Sequence, residues 1–278
     1  MAKRSRESKS LRFLYRTGVG RVCLKGLTAR WPSRLAGRYL DSRVSRVHIS
    51  RFINRNGIDL KDYEEQKYAS FNECFCRRIL PEKRPIDYTP TTLIAPCDGL
   101  LSVYPIRDDT VLPIKQSQYT VSELLNDDPI WERYRDGLCL VFRLCVHHYH
   151  RYHYLDNGTK GENVFIPGKL HTVRPIALES RAVFTQNCRE YTVMETENFG
   201  TVTQVEVGAM LVGKIHNHHG AATFKRGEEK GLFLYGGSTV VLLLEKQRAT
   251  LLPEVQMATA DGAEMPVQLG QKIGAVPC

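Results

Sequence analysis

Three prolines, Pro81, Pro85 and Pro90, divide this chain into two parts with different hydrophobic periods. A chain that changes period in this way is not one repeating architecture. Ahead of the prolines, apolar residues recur at near-helical spacing: Leu11, Leu14, Tyr15 and Val22, then Trp31, Leu35 and Tyr39, then Tyr63, Tyr68, Phe71, Phe75 and Ile79. Beyond them come short β-branched runs, Leu93 to Pro105, Leu138 to Val146, Thr201 to Ile215 and Leu232 to Leu244, separated by Gly, Pro and Asn. Helices first and strands afterwards predict an α+β fold. Inside the second half, Thr120 followed by Glu123, Leu124 and Leu125 predicts a capped helical insertion over Tyr119 to Tyr134. No tandem repeat or low-complexity segment interrupts the pattern.

Charge follows the same division. Between Met1 and Arg55 there are fifteen Lys or Arg against Glu7 and Asp41, a net +13, which leaves −4 for the rest of a chain whose total is +9. The partner of the basic segment is therefore anionic. Pro32 suits the first turn of a helix on which Trp31, Leu35 and Tyr39 step by four, with Arg30, Arg34 and Arg38 beside them. An apolar stripe next to a cationic one fits a helix lying on anionic lipid, and it also fits an ordinary solvated helix packed on the core. Nucleic acid is not expected as a partner, because no aromatic single-strand platform or zinc finger accompanies the charge. Residues 1–57 read as a basic amphipathic helical segment and 58–278 as the β-rich domain.

The longest clear apolar run, Val240 to Leu244, is strand-sized, so no span is expected. The basic N-terminus lacks an apolar segment with a small-residue cleavage site, and a cytosolic start is expected. The eight cysteines, at 23, 74, 76, 97, 139, 145, 188 and 278, have no framework spacing and suit reduced thiols.

Three places are polar where a β-core is normally apolar: Ala95-Pro96-Cys97-Asp98-Gly99, the histidines from His147 to His153, and Tyr235-Gly236-Gly237-Ser238-Thr239. Gly236 and Gly237 tolerate dihedral angles closed to other residues, so they can present a strained carbonyl to the next side chain; they equally suit a hairpin turn. A serine attacking that carbonyl needs a base, conventionally a histidine oriented by a carboxylate, and both residue types are available. Four histidines in seven residues, with His216, His218 and His219 elsewhere, also invite a metal. No HExxH pattern or matching carboxylate or cysteine set accompanies them, so no metal is expected, and structural histidines are the default for His147, His48 and His171.

Taken in order, Pro96-Cys97-Asp98-Gly99, Tyr149-His150-Arg151-Tyr152-His153, Pro167-Gly168-Lys169-Leu170 and Gly236-Gly237-Ser238-Thr239 resemble the phosphatidylserine decarboxylase family, in its GGST branch. Phe184-Thr185-Gln186-Asn187 and Lys225-Arg226-Gly227-Glu228-Glu229 with Gly231 continue the likeness, which runs from about Leu11 to Glu245. The tail after Arg248 matches less distinctively.

That resemblance implies a sandwich-like core and a proenzyme that cuts itself between Gly237 and Ser238 into chains 1–237 and 238–278. Asp98, His153 and Ser238 would form the self-cleavage triad, with His153 taking the Ser238 proton. Ser238 would become a covalent pyruvoyl cofactor that forms a Schiff base with the substrate amine and takes up the electrons freed as carbon dioxide leaves. His150 is the candidate proton donor. The implied partners are phosphatidylserine, an anionic membrane surface and the two cleaved chains held together, with a homodimer left open. The implied place is the cytoplasmic face of the cell membrane, peripherally attached. Two rivals remain: a pyruvoyl decarboxylase of a free amino acid such as tryptophan, and an inactive lipid-binding module of the same fold.

Overall fold

A computed structural model of the chain describes residues 30–64, 67–114, 117–168, 187–208, 215–235 and 238–277. Most of the basic segment, with Leu11, Leu14, Tyr15 and Val22, lies outside the described residues, as do His171, Lys169-Leu170, Phe184 to Gln186, and the pair Gly236-Gly237.

The described chain begins with helix α1 (Arg30–Asp41), a 3-10 helix (Arg43–His48) and α2 (Ile49–Asn56). Gly57 ends α2 in the left-handed region at φ +62°, where its N–H reaches the Ile53 carbonyl, a position that favours glycine. The spacing of Tyr63, Tyr68, Phe71, Phe75 and Ile79 predicts continued helix, and here the structure differs. The described residues between 58 and 90 form an irregular strap with short 3-10 turns at Leu60–Asp62 and Pro81–Lys83 and a short helix, α3 (Phe71–Phe75), capped by the Ser70 side chain. The reason lies in burial. Tyr63 and Ile79 pack with Tyr149 and Leu269, whereas Phe71 and Phe75 pack with Phe52, Leu232 and Tyr235. Two separate clusters claim residues that one helix face would have kept together, and their burial outweighs a propensity worth a few tenths of a kcal/mol per residue, roughly.

The remainder is β-rich. In chain order it contains β1 (Thr92–Ile94), β2 (Gly99–Pro105), β3 (Leu112–Ile114), β4 (Ser117–Tyr119), α4 (Val121–Leu124), β5 (Leu138–Leu144), β6 (Arg151–His153), β7 (Gly158–Lys160) and β8 (Val164–Ile166). It continues through β9 (Arg189–Thr196), β10 (Gly200–Val207), β11 (Ile215–Asn217), β12 (Ala222–Phe224), β13 (Glu229–Phe233), β14 (Ser238–Leu244), β15 (Thr250–Leu251), α5 (Pro253–Ala260), β16 (Met265–Val267) and β17 (Lys272–Ala275). The predicted insertion begins as expected, since Thr120 and Glu123 close a reciprocal capping box, but α4 is one turn long and a 3-10 helix, Pro129–Tyr134, follows it.

A nine-stranded sheet runs β12-β7-β9-β10-β14-β5-β2-β16, with β8 beside β9. Small three-stranded sheets, β1-β17-β15 and β11-β13-β6, cover one of its faces. The β3-β4 hairpin, α4 and Tyr134 cover the other. Strand β14 lies between β10 and β5 and is buried along its whole length. Because side chains alternate, Val240, Leu242 and Leu244 enter the first core while Val241 and Leu243 enter the second. This explains an unbroken apolar run in an antiparallel strand: both of its faces are covered.

Candidate active site

The alternation along β14 sets where Ser238 points. As the first residue of the strand it shares a face with Val240 and Leu242, toward the core that also contains Cys97, Tyr152 and Phe233. It is buried, and in register it faces Leu144, the last residue of β5. Its predecessor Gly237, the other side of the expected cut, lies outside the described residues.

Directly after Leu144 the chain turns into the histidine cluster. The His148 Nδ1 accepts the N–H of Cys145 at 3.0 Å, and the His150 Nε2 reaches the Cys145 carbonyl at 3.1 Å. A ring nitrogen bonded to a carbonyl carries its proton, so the network assigns the His150 hydrogen to Nε2. The His150 ring stacks on Phe75 at 4.0 Å, and Phe75 meets Tyr235 edge-on at 5.2 Å. The backbone N–H of Phe233 also bonds the His150 carbonyl at 2.9 Å. His150 is thus tied to the turn after β5 and to the end of β13.

His153 ends β6 and is fixed from two sides. Its N–H bonds the Pro96 carbonyl at 2.8 Å, which brings the Pro-Cys-Asp-Gly turn alongside, and Glu229 of β13 faces it in register. The pairing bulges here, because Glu229 opposes His153 while Gly231 already opposes Tyr152. Gly231 is obligatory at that crossing, since a Cβ would fall 2.2 Å from the His216 carbonyl oxygen and 2.6 Å from the Tyr152 hydroxyl. Burial pushes the His153 pKa down to about 4, against the opposing pull of Glu229 and a smaller one from Asp98. The ring is therefore neutral at physiological pH, and its Nδ1 is buried without a hydrogen-bond partner among the described residues.

Asp98 is held by a residue that the sequence pattern does not single out. Arg84 grips it with two bonds, Nε to Oδ1 at 2.8 Å and Nη2 to Oδ2 at 2.6 Å, and the Leu269 N–H adds a third at 2.9 Å. The Gly270 N–H bonds the Ala95 carbonyl, and the Ala95 N–H bonds the Gln271 carbonyl. The tail beyond Arg248, featureless as sequence, thus clamps the Asp98 turn.

The sequence pattern also gives no role to Glu229 or His218. Glu229 accepts from Arg151 Nη1 at 2.7 Å and bonds the His218 ring at 2.6 Å. Burial alone would raise its pKa, but His218 and Arg151 outweigh that and hold it below the usual carboxylate range. Glu229 stands inside the Lys225-to-Glu229 motif, yet only the strand register reveals that it faces His153. The structure therefore brings Asp98, His153 and Glu229 around one turn, and His150 and Ser238 around the end of β5. The described hydrogen bonds of the Asp98 carboxylate go to Arg84 and Leu269. Ser238, the residue that would carry a self-made keto group, is buried at the first position of a strand covered on both faces, which fits a group that must be kept from water.

Known proteins resemble this chain along most of its length. A family model described as phosphatidylserine decarboxylase matches residues 71–275. The phosphatidylserine decarboxylase proenzyme 2 of Clostridium acetobutylicum is 43% identical over 265 residues, covering 95% of this chain and 91% of the relative. A proenzyme of Ruminiclostridium cellulolyticum is 38% identical over 270 residues, 95% and 90% of the two chains. One of Clostridium botulinum (strain Alaska E43 / Type E3) is 36% identical over 272 residues, 96% and 92% of the two chains.

Proposed function

The chain belongs to the phosphatidylserine decarboxylase family and is a decarboxylase made as a proenzyme, and we propose that it activates itself by serinolysis between Gly237 and Ser238. The observation that carries this reading is the placement of Ser238 as the buried first residue of a central strand, directly after the glycine pair. In the proposed step the Ser238 Oγ attacks the Gly237 carbonyl and its proton passes to neutral His153. The peptide C–N bond breaks and an ester replaces it. Loss of the α-proton of residue 238 then expels the Gly237 carboxylate, leaving a dehydroalanine that takes up one water and releases ammonia.

The resulting pyruvoyl group supplies an electron sink for the pair left when carbon dioxide departs. Around it the protein's own residues bind and shield. The covered strand end excludes water, and His150, with its proton held at Nε2 against the Cys145 carbonyl, is the candidate to return a proton to the substrate carbon. The product would be phosphatidylethanolamine, which places the reaction in phospholipid biosynthesis.

Access to a lipid substrate is supported by the 3-10 helix Arg43–His48. Three residues per turn align positions three apart, giving three ridges. Ser45 is buried and its Oγ accepts the Phe71 N–H at 2.8 Å, which fixes the helix. Val44 and Val47 stand on a second ridge, 66% and 72% exposed, and Arg43 and Arg46 on the third. Exposed aliphatic side chains next to cations suit peripheral attachment to anionic lipid. Among the described residues no helix is long and apolar enough to cross a membrane.

Mass spectrometry of the purified protein tests the proposal. Two chains, 1–237 and a pyruvoyl-led 238–278, together with carbon dioxide released from phosphatidylserine vesicles, are expected. An intact 31.7 kDa chain would overturn the self-cleavage reading.

A further inference from the structure

A cavity of about 530 Å³ opens between α2 and Tyr235, which in sequence lies just ahead of the proposed cut. Its apolar lining includes Phe52, Phe71, Val146 and Tyr235, with the rings of Phe52 and Phe71 5.1 Å apart and those of Phe71 and Tyr235 5.0 Å apart, both edge to face. Tyr235 precedes Ser238 by three residues, and Val146 follows the Ser238 partner Leu144 by two. The floor therefore runs up to the reacting segment. Arg51 and Arg55 line the same cavity from α2, one turn apart on the same helix face. Neither side chain makes an ion pair or hydrogen bond with any described residue.

Two such guanidinium groups in a cavity that also has aromatic lining form a site for an amphiphile with an anionic head. Arginine forks match phosphate oxygens in pairs, and the volume falls in the usual range for small-molecule sites. A free amino acid would leave most of this space unfilled and would bring no phosphate to the arginines. We propose that this cavity seats the phosphodiester of the substrate lipid, with Arg51 and Arg55 as its anion-binding pair and the aromatic floor under the glycerol and the first acyl carbons. The proposal rests on the decarboxylase reading and names how that site takes hold of its substrate. It also gives the N-terminal helices a role in substrate binding beyond any attachment to membrane.

The test uses the mature, self-cleaved protein and dihexanoyl phosphatidylserine below its micelle concentration, so that vesicle binding plays no part. Arg51→Gln with Arg55→Gln is expected to raise KM about tenfold or more while kcat changes much less, because removing a charge-assisted hydrogen bond weakens binding by that order. Lysine at both positions should recover part of the loss. Inorganic phosphate should inhibit the wild type competitively and lose that effect in the double glutamine variant, a readout that a merely structural role for the arginines would not move. Should the double variant fail to self-cleave, Arg51→Gln alone carries the test through the same two readouts. A fully cleaved variant with wild-type KM and unchanged phosphate inhibition would overturn the proposal while leaving the decarboxylase reading intact. A wild type that releases no carbon dioxide from the lipid would instead remove the reading underneath it.

Discussion

Arg84 and Asp98 meet through two parallel hydrogen bonds, 2.8 and 2.6 Å long, with both side chains largely withdrawn from solvent. The guanidinium fork fixes the plane of the carboxylate in the turn that also bonds His153. Removing one partner of such a pair leaves an uncompensated buried charge. Arg84→Met is therefore expected to cost about 3 kcal/mol, seen as a lowered Tm, and to slow self-cleavage as the carboxylate loses its orientation. Lysine at position 84 should restore stability better than cleavage rate, since an ammonium supplies charge without the fork. Densitometry of the cut and uncut chains over time separates the two effects.

The depressed pKa of His153 sets a pH profile. A base is competent in its neutral form, which predominates above the pKa of about 4. The self-cleavage rate is expected to stay flat from pH 8 down to about pH 5 and to fall as acidity passes through the range around pH 4. An inflection near the ordinary histidine value of about 6.5 would show that burial does not govern this ring. Newly synthesised protein, transferred to a series of buffers and followed on gels, gives the curve.

His150 is proposed to act after the cut. Its replacement by alanine should leave self-cleavage complete by mass and reduce decarboxylation by roughly two to four orders of magnitude, the usual weight of a positioned proton donor. The loss of its ring also removes the stack on Phe75, so Phe75→Leu serves as the packing control and should cost far less activity.

Val44 and Val47 have no packing duty to lose. Aspartate at both positions is expected to change stability by no more than about 0.5 kcal/mol, read from Tm, because exposed substitutions rarely do more. Partition onto phosphatidylserine vesicles should fall by about tenfold for each aliphatic side chain withdrawn from lipid. Activity on the soluble short-chain substrate should persist, and vesicle co-sedimentation against that assay distinguishes attachment from catalysis.

The contiguous motifs were legible because their chemistry is carried by neighbours in sequence: a turn ending in Asp98, histidines spaced along one segment, a serine after two glycines. The capping box at Thr120 and Glu123 was legible for the same reason. Arg84 was hidden, since its partner lies fourteen positions away and its own surroundings read only as a proline-broken linker. Glu229 stood in view without a role until the β13 to β6 bulge aimed it at His153. The strap after Gly57 is not legible in the sequence because near-helical spacing of apolar residues does not reveal that they are buried in different clusters.

Residues 238–278 supply the middle strand of the largest sheet, an edge strand beside β2, and the stretch that clamps the Asp98 turn. A chain lacking them has neither Ser238 nor the Leu269 N–H bond to the Asp98 carboxylate, so the site is incomplete until the tail is in place. Under the proposed chemistry, maturation is then a readout of folding: a molecule that has severed its backbone has already assembled, and a misassembled copy stays chemically inert.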